Sequence, residues 1–414
     1  MKDWKKVKLG EVADVVMGQS PKSEFYNKTG EGMPFLQGNR TFGEKYPSFD
    51  TFCTDNKRFA EPKEVIMSVR APVGDLNIAT TRISLGRGVC ALKMKNNNNN
   101  FLYYLLTHFM SNLINRQSGT VFGSVNRKNI SGLDIVISEK PDDQKAIADV
   151  LSAFDDKIEN NNKQNELLEK TAQALYKAWF VEFNFPNSDG KPYKASGGEM
   201  VYNEQLKKNI PKGWVIECVK DIAFNNDIIC GKTPSTKVEE YYGGDIPFIT
   251  IPDMHNSTYI IKPSRYLTGY GAESQSKKTL PKNSVCVSCI ATPGLVILTS
   301  EPSQTNQQIN SIVCKEGISP YYIYLNFLLR KDEIINMGSG GTTTYNLNKK
   351  GFSNIKIILP TNKYMQNFNI KVKYIFDKIL ENQKENETLK QTRDTLLPKL
   401  MSGEVRVKGF GDNN

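Results

Sequence analysis

Two segments of the sequence join small, flexible residues to a basic pair, a pattern that suits contact with a nucleic acid. They are SGTVFGSVNRKN at 118–129 and GSGGTTTYNLNKKG at 338–351. Glycine lets a backbone approach a ligand closely, hydroxyl and amide groups bond to phosphates or base edges, and basic side chains bind phosphates. A hairpin with a solvated basic end explains either segment alone about equally well. The predicted contacts are Ser124, Asn126, Arg127, Lys128, Thr342, Thr343, Thr344, Tyr345, Asn348, Lys349 and Lys350.

A second group of polar side chains follows two related apolar motifs, PFL at 34–36 and PFI at 247–249. Amide, hydroxyl and guanidinium groups can bond to base edges. The polar segments differ from each other while the flanking sequence agrees, as expected if each reads a different sequence. Loop drift without function gives the same pattern, so both interpretations stay open. The candidates are Gln37, Asn39, Arg40, Thr250 and His255.

Motifs for catalysis are incomplete in this sequence. GKT at 231–233 resembles the end of a phosphate-binding loop, but Asn226 stands where its first glycine belongs. PDDQK at 141–145 places its carboxylates at the start of a predicted helix, where the helix dipole favours them, and not on separate strands. Cys286 and Cys289 form a lone CxxC in an apolar run, which predicts small buried residues instead of a zinc site. We therefore expect a noncatalytic binding protein with no cofactor or metal of its own.

These motifs belong to a duplicated unit of about 210 residues, a period typical of paired domains and too long for a solenoid. GQSP at 18–21 recurs as GKTP at 231–234, and VIMSVRAPVG at 65–74 matches VCVSCIATPG at 285–294. Short β-branched runs and a few helix-like stretches predict an α+β domain in each copy. The predicted segments are a first globular domain at 1–140, a helical spacer at 141–185, a linker at 186–209, a second globular domain at 210–360, a helical spacer at 361–404 and a tail at 405–414.

Each copy ends in a long helix with a coiled-coil seam. Apolar residues recur at alternating steps of four and three, from Ile147 to Trp179 and from Phe368 to Leu400. Both seams are interrupted by asparagine at the same two steps, which favours a role in fixing register and partner. We expect the two helices to pair antiparallel and to carry the globular domains at opposite ends. The predicted register residues are Asn161, Asn165, Asn382 and Asn386.

The composition favours an anionic partner. The chain has 414 residues, with 54 Lys and Arg against 44 Asp and Glu, and therefore a formal net charge of +10. Net charge alone separates nucleic acid from a membrane surface poorly, but two parallel basic segments favour nucleic acid. No apolar run reaches the length of a membrane span, and the seven cysteines are too scattered for a disulfide framework. We expect a cytoplasmic protein without a membrane partner.

Four longer stretches resemble the specificity subunit of a Type I restriction-modification system, and the resemblance covers nearly the whole chain. They are WKKVKLGEV from Trp4, GWVIECVKDIA from Gly213, the helix QKAIADVLSAFDDKIENNNKQNELLEKTAQALYKAWFVEF and the ending LLPKLMSGEVRV. The resemblance implies two target-recognition domains joined and spaced by a pair of helices. It also implies recognition of a bipartite, asymmetric sequence in double-stranded DNA.

The resemblance further implies partner subunits that carry the chemistry. Two modification subunits would bind S-adenosylmethionine and methylate adenine, and restriction subunits would use ATP and magnesium. Recognition domains vary greatly within such a family, so no base-contacting residue is transferred to this chain. Two alternatives stay open: a stand-alone DNA-binding regulator whose coiled coil spaces two readers, and a scaffold whose coiled coil binds other proteins. A methyltransferase gene next to this one would favour the specificity subunit over the regulator.

Overall fold

The computed structural model describes residues 4–115, 124–338 and 347–407. The predicted contacts Thr342, Thr343, Thr344 and Tyr345 lie outside the described residues. The chain divides into two compact units. The first unit consists of Met1–Glu159 with Thr388–Asn414, and the second consists of Asn160–Glu387. The first unit is thus built from both ends of the chain.

The first unit mixes short strands with a few helices, which confirms the predicted α+β class. Its strands are β1 (Trp4–Lys8), β2 (Ala13–Met17), β3 (Tyr26–Asn27), β4 (Met33–Leu36), β5 (Phe52–Cys53), β6 (Phe59–Ala60), β7 (Val65–Ser68), β8 (Leu76–Ile78), β9 (Ile83–Leu85), β10 (Val89–Met94) and β11 (Asp134–Ser138). Its helices are α1 (Leu9–Val12), α2 (Asn99–Asn115) and α3 (Arg127–Ser131), and the long helix α4 (Pro141–Tyr176) begins in it.

A four-stranded sheet in the order β2-β10-β7-β8 separates two cores of the first unit. Because successive residues of a strand point to opposite faces, Cys90 and Leu92 of β10 join one core and Val89 and Ala91 join the other. The larger core contains the buried face of α2 and also Leu397, from the C-terminal part of the chain. The sheet is therefore covered by apolar residues on both faces.

The second unit repeats this topology. Its strands are β12 (Met200–Asn203), β13 (Lys208–Pro211), β14 (Val215–Cys218), β15 (Ile229–Cys230), β16 (Tyr242–Ile249), β17 (Tyr259–Ile260), β18 (Tyr266–Leu267), β19 (Val285–Ser288), β20 (Val296–Thr299), β21 (Gln304–Thr305), β22 (Ile309–Ile312) and β23 (Lys356–Leu359). Its helices are α5 (Val219–Ile222), α6 (Gly269–Glu273), α7 (Pro320–Leu329), α8 (Lys331–Gly338) and α9 (Lys349–Ser353).

The order β15-β22-β19-β20-β17 corresponds to β2-β10-β7-β8 with one added strand, and β14-β23 corresponds to β1-β11. The internal repeat seen in the sequence is thus confirmed in the strand order. An antiparallel hairpin of β12 and β13 begins within the predicted linker at 186–209 and extends to Pro211. The linker is therefore partly folded.

The long helices have the predicted seams. The chain after α4 continues through a π-helical turn at Lys177–Val181 and ends its helical course before Pro186. The last helix, α10, spans Asn362–Met401. Every predicted seam position in both helices is buried or half-buried. In the second unit Asn161 contacts Asn386 and Asn165 contacts Asn382. A later residue of α4 thus contacts an earlier residue of α10, so the helices run antiparallel there.

Within the described ranges, no helix has the length and apolar character needed to cross a bilayer. The same ranges bring together no three His, Cys, Asp or Glu side chains in a metal-binding arrangement. Cys286 and Cys289 are buried free thiols. Burial raises the pKa of each thiol to about 12, so both stay protonated near neutral pH.

Candidate nucleic-acid interface

One end of the four-stranded sheet gathers the candidate loops of the first unit. β2 and β7 end where β10 begins, because these strands are antiparallel neighbours. Backbone hydrogen bonds continue this order past the strands: Gly18 N donates to Val89 O at 3.0 Å, and Val69 N donates to Gly88 O at 2.9 Å. Val125 N then donates to Val69 O at 2.9 Å. The predicted segment around Ser124 therefore lies at the same sheet end as the GQSP loop.

A polar cluster lies at this sheet end and consists of the side chains of Ser20, Tyr26 and Gln37 with the backbone of Arg87. Ser20 Oγ accepts from the backbone N of Arg87 and donates to Gln37 Oε1, each at 3.0 Å. Tyr26 OH donates to the carbonyl of Pro21 at 2.8 Å. Burial raises the pKa of Tyr26, and its hydrogen bond to Ser20 opposes that shift. The cluster joins three segments that are far apart in the sequence.

Two glycines make the close packing of this cluster possible. A Cβ on Gly88 would overlap the carbonyl group of Gln37, and a Cβ on Gly86 would overlap the Gln37 side chain and Cα. The chain therefore needs glycine on each side of Arg87. The Gly-Arg-Gly turn at 86–88 presents a single side chain, Arg87, which is exposed.

The second unit has the same backbone arrangement at its corresponding sheet end. Gly231 N donates to Ile309 O at 3.1 Å, Cys289 N donates to Gln308 O at 2.9 Å, and Leu347 N donates to Cys289 O at 2.9 Å. The side chains there form a polar cluster of Thr233, Tyr242 and Gln307. Thr233 Oγ1 donates to Gln307 Oε1, and Tyr242 OH donates to the carbonyl of Pro234, each at 2.7 Å.

The basic pairs lie on the short helices α3 and α9, whereas residues 118–123 and 339–346 lie outside the described residues, so the hairpin interpretation of those parts stays open. Asn126 is the N-cap of α3 and its side chain accepts from the N of Asn129 at 3.0 Å. Asn348 is the N-cap of α9 and accepts from the N of Gly351 at 2.9 Å. Asparagine is among the preferred N-cap residues, because its side-chain oxygen satisfies a free amide of the first turn. These two side chains therefore hold the local backbone.

The exposed cations of the two units differ in their pairing. Within the described part of the chain, the side chains of Arg70, Arg87, Arg127 and Lys128 have no ion pair. Lys349, in contrast, lies 2.6 Å from Asp227. Arg70 forms an isolated β-bridge with Ser124, and Arg127 follows Ser124 by three residues. The sheet end of the first unit therefore presents unneutralised positive charge.

Three of the remaining candidates, Asn39, Arg40 and Thr250, bind aspartate side chains outside the polar clusters. Arg40 forms a two-pronged ion pair with Asp50, with both N–O distances at 2.7 Å, and this lowers the pKa of the Asp50 carboxyl to about 2. Asn39 donates to Asp75 at 2.5 Å. Thr250 Oγ1 donates to Asp253 at 2.7 Å, and His255 is exposed at the end of that turn. The structure brings Gln37 into the cluster but leaves these four outside it.

The predicted register residues form a polar network inside the second unit. Asn161 Nδ2 donates to Asn386 Oδ1 at 2.9 Å, and Asn382 Nδ2 donates to Asn165 Oδ1 at 2.9 Å. Asn161, Asn382 and Asn386 are buried. The two bonds are related by the internal repeat, since they join the same pair of seam positions in opposite order. A role in fixing register stays a prediction.

Sequence reasoning missed Ser20, Arg87, Thr233 and Gln307. The GQSP and GKTP repeats marked two of these positions, but their resemblance to a phosphate-binding loop was the only chemistry that the motifs suggested. The Gly-Arg-Gly turn was a signal for Arg87, since glycines on both sides of a basic residue allow close backbone approach. Gln307 had no comparable local signal, because Asn306 and Gln308 replace the glycines.

Comparison with known proteins gives consistent relatives. A family model described as the Type I restriction modification DNA specificity domain matches residues 1–170 and again residues 211–391. The chain is 38% identical over 360 residues to the Type I restriction enzyme HindI specificity subunit of Haemophilus influenzae, covering 74% of this chain and 77% of that protein. It is 29% identical over 430 aligned positions to the MjaIX specificity subunit of Methanocaldococcus jannaschii, covering 98% and 94%.

A solved structure shares the fold. It is the S subunit of a Type I restriction-modification system from M. genitalium, with a TM-score of 0.59, 18% identity and coverage of 96% of each chain. At this identity the likeness concerns the fold alone. The fold and the two family matches thus agree with the internal repeat.

Proposed function

The chain belongs to the Type I restriction modification DNA specificity family, and on that premise we propose that each unit reads one half of a bipartite, asymmetric sequence in double-stranded DNA. Specificity subunits are noncatalytic: they select the DNA sequence, and other subunits carry the chemistry. The stand-alone regulator is not favoured by this membership. The proposal assigns the reading surface to the sheet end that carries the polar cluster in each unit.

The observation that carries the proposal is a repeated backbone with changed side chains. The same hydrogen bonds place residues 86–88 and 306–308 beside the GQSP and GKTP loops. Yet the exposed side chain at the centre of each turn differs, with Arg87 in one unit and Gln307 in the other. A common scaffold with different polar groups is what two different half-sites need, because sequence is read by hydrogen bonds to base edges.

We also propose that basic residues near these clusters hold the DNA backbone. Arg127, Lys128 and Lys350 are exposed and form no ion pair with a described residue. Phosphate contacts of this kind position a protein on DNA without carrying sequence information. The site therefore combines a reading group in each unit with neighbouring charge for the phosphates.

The helix pair completes the proposal. We assign to α4 and α10 the setting of the gap between half-sites and the docking of two modification subunits. S-adenosylmethionine would belong to those subunits, and ATP with magnesium would belong to restriction subunits. The exposed faces of both helices, outside the buried seams, offer the surface for such partners.

A methylation map tests the proposal. The full chain is combined with its modification subunits and S-adenosylmethionine, and methyladenine is located in a plasmid library that contains random sequence. We expect methylation at one bipartite, asymmetric sequence with a fixed gap. The chain alone and the modification subunits alone serve as controls and should not methylate. Methylation without a bipartite sequence, or methyl transfer by the isolated chain, would contradict the proposed function.

A further inference from the structure

Arg87 and Gln307 occupy the same place in the two units, and we infer that they are the base-reading residues, with Arg87 reading a guanine and Gln307 reading an adenine. This inference rests on the proposed function and makes it specific at one base in each half-site. It assigns the two residues to different half-sites, since each belongs to a different unit.

Three pairs of backbone hydrogen bonds establish the equivalence of the two positions. Residues 86 and 306 donate to the carbonyls that end the PFL and PFI motifs, Leu36 and Ile249. Residues 88 and 308 accept from Val69 and Cys289, and residues 89 and 309 accept from the glycines of the GQSP and GKTP loops. Positions 87 and 307 are therefore equivalent, because the residues before and after them make the same backbone hydrogen bonds.

Arg87 is available to a ligand, unlike two other arginines of its unit. It is exposed and has no ion pair among the described residues. Arg40 is held by Asp50, and Arg82 lies 2.9 Å from Glu61 with its guanidinium over the ring of Phe59. A carboxylate that already occupies a guanidinium competes with a base for the same donors. Arg70 and Arg127 are also unpaired among the described residues, but Arg87 is the one whose backbone N is bound by Ser20 between two glycines.

The backbone at both positions is fixed before any ligand arrives. The N of Arg87 donates to Ser20 Oγ, and the flanking glycines leave no room for other side chains between this turn and Gln37. In the second unit Thr233 Oγ1 binds Gln307 Oε1 and so orients the amide. Ser20 and Thr233 are equivalent positioning residues. Holding the backbone at Arg87 and the side chain at Gln307 reduces the loss of conformational freedom on binding.

The residue types indicate which base each position reads. Arginine donates two hydrogen bonds to O6 and N7 of guanine, and glutamine pairs with N6 and N7 of adenine. Gln307 Oε1 keeps a second lone pair for the adenine amino group after accepting from Thr233. Its Nε2 can then donate to N7. The two residues are thus complementary to different bases from the same backbone position.

Exchange of the two residue types tests the inference. Arg87→Gln and Gln307→Arg are prepared in the full chain, combined with the modification subunits, and mapped on the random plasmid library. Arg87→Gln should change one position of one half-site from guanine toward adenine, with a loss of guanine discrimination of roughly 5- to 150-fold. Gln307→Arg should make the reverse change in the other half-site. Arg82→Gln removes an arginine charge from the first unit away from the cluster and should leave the recognised sequence unchanged.

The outcomes separate the inference from the proposed function. A methylation map of the wild-type protein that shows no bipartite sequence would contradict the proposed function. A bipartite wild-type map with no changed base in either variant, or with equal weakening at all sequences, overturns the inference and makes these residues phosphate contacts or bystanders. The two variants lie in different units, so each supplies an independent result. Melting temperatures close to wild type verify folding, and Arg87→Ala, which should lose guanine discrimination without gaining adenine preference, gives a second test at that position.

Discussion

The basic residues that follow the two candidate loops differ in their ionic surroundings. Lys128 has no ion pair among the described residues, whereas Lys349 lies 2.6 Å from Asp227. Both members of the Lys349 pair are exposed, so the pair is weak and screened by water. It still offers Lys349 a competing partner for a phosphate. The two lysines look alike in the sequence, but only Lys349 has a neighbouring carboxylate that competes with a phosphate.

We predict that Lys128→Gln lowers the slope of log affinity against log salt by about 0.9, the value for one lost phosphate contact. Lys349→Gln should lower it by less, because Asp227 already neutralises part of this charge. Asp227→Asn should steepen the slope in the wild-type background. Fluorescence anisotropy with unrelated duplexes at several salt concentrations measures these slopes. The control is Lys191→Gln, in the linker. Equal slopes for all variants would mean that Lys128 and Lys349 face solvent and bind no phosphate.

The sequence allowed part of the site to be predicted at this scale. Gln37, Arg127 and Lys128 are candidates by residue type and by their repeated neighbours, and their contact with DNA stays a prediction. Arg87 was missed because only strand register brings it beside Gln37. The ion pair of Arg40 with Asp50 was also missed. Sequence alone does not show which carboxylate lies near an exposed arginine, because tertiary contacts decide it. Residue type thus predicts a capacity for contact, and the fold decides its availability.

At the scale of elements, each unit attaches its globular part to the long helices with different chemistry. In the first unit Asp155 of α4 accepts hydrogen bonds from Tyr104 and, at 2.6 Å, from Arg393, and lies 3.5 Å from the Lys45 ammonium. In the second unit the equivalent of Asp155 is Phe376, which stacks on Tyr321 with centroids 4.5 Å apart. A buried charge cluster in one copy thus replaces an aromatic contact in the other.

We predict that Asp155→Asn destabilises the first unit by roughly 3–5 kcal/mol, because it leaves the buried Lys45 charge without its buried carboxylate partner. Hydrogen exchange of the α2 amides measures the free energy of opening of this unit. The control is Asp156→Asn, since the Asp156 side chain is 67% exposed and lies 3.6 Å from the same ammonium. It should cost less than about 1 kcal/mol. Equal losses in the two variants would refute a special role for Asp155.

The asparagines of the helix pair make a second prediction at this scale. Asn161→Ala and Asn386→Ala should each destabilise the pair, but the double variant should cost less than the sum of the two. The coupling free energy should lie within about 0.5–3 kcal/mol, as for contacting residues. Chemical denaturation of the four proteins of the cycle measures it.

A matched cycle uses Asn161→Ala with Leu167→Ala. Leu167 is 65% exposed on the same helix, so its effect should add to that of Asn161 within about 0.5 kcal/mol. Additivity in the asparagine cycle as well would mean that the hydrogen bond between Asn161 and Asn386 contributes nothing to pairing.

The long helices were the most predictable elements and the short ones the least. A seam of alternating fours and threes extends over many turns, so a few polar residues do not hide it. α3 and α9 contain five residues each, too few for a periodic pattern. Their N-cap asparagines were assigned to DNA contact from residue type alone. Local capping and ligand contact use the same side chains, and only the backbone geometry distinguishes them.

At the scale of the whole molecule, the helix pair is predicted to determine the gap between half-sites. Deleting residues 160–166 together with 381–387 removes one heptad from each helix in register, as defined by the contacts of Asn161 with Asn386 and of Asn165 with Asn382. A heptad spans about 10 Å. We therefore expect the preferred gap to shorten by about three base pairs at roughly 3.4 Å each.

Selection of binding sites from a random duplex library, run on parent and deletant, measures the gap. Overall affinity should also fall, because three base pairs change the rotational setting of the half-sites by nearly a third of a turn of about 10.5 base pairs. The control deletes residues 160–166 alone, which breaks the register and should abolish the selection of a fixed gap. An unchanged gap in a folded double deletant would show that the helices do not determine the distance between half-sites.

The first unit consists of two separate segments of the chain, and this affects when it can fold during synthesis. Its core includes Leu9 and Ile147 but also Leu397 and Leu400, which are synthesised after the whole of the second unit. The second unit is one continuous segment, Asn160–Glu387, and has all of its residues earlier. At about 5–20 residues per second, the first unit waits on the order of ten seconds or more for its final helix. The first unit therefore completes its core only after the whole of the second unit has been synthesised.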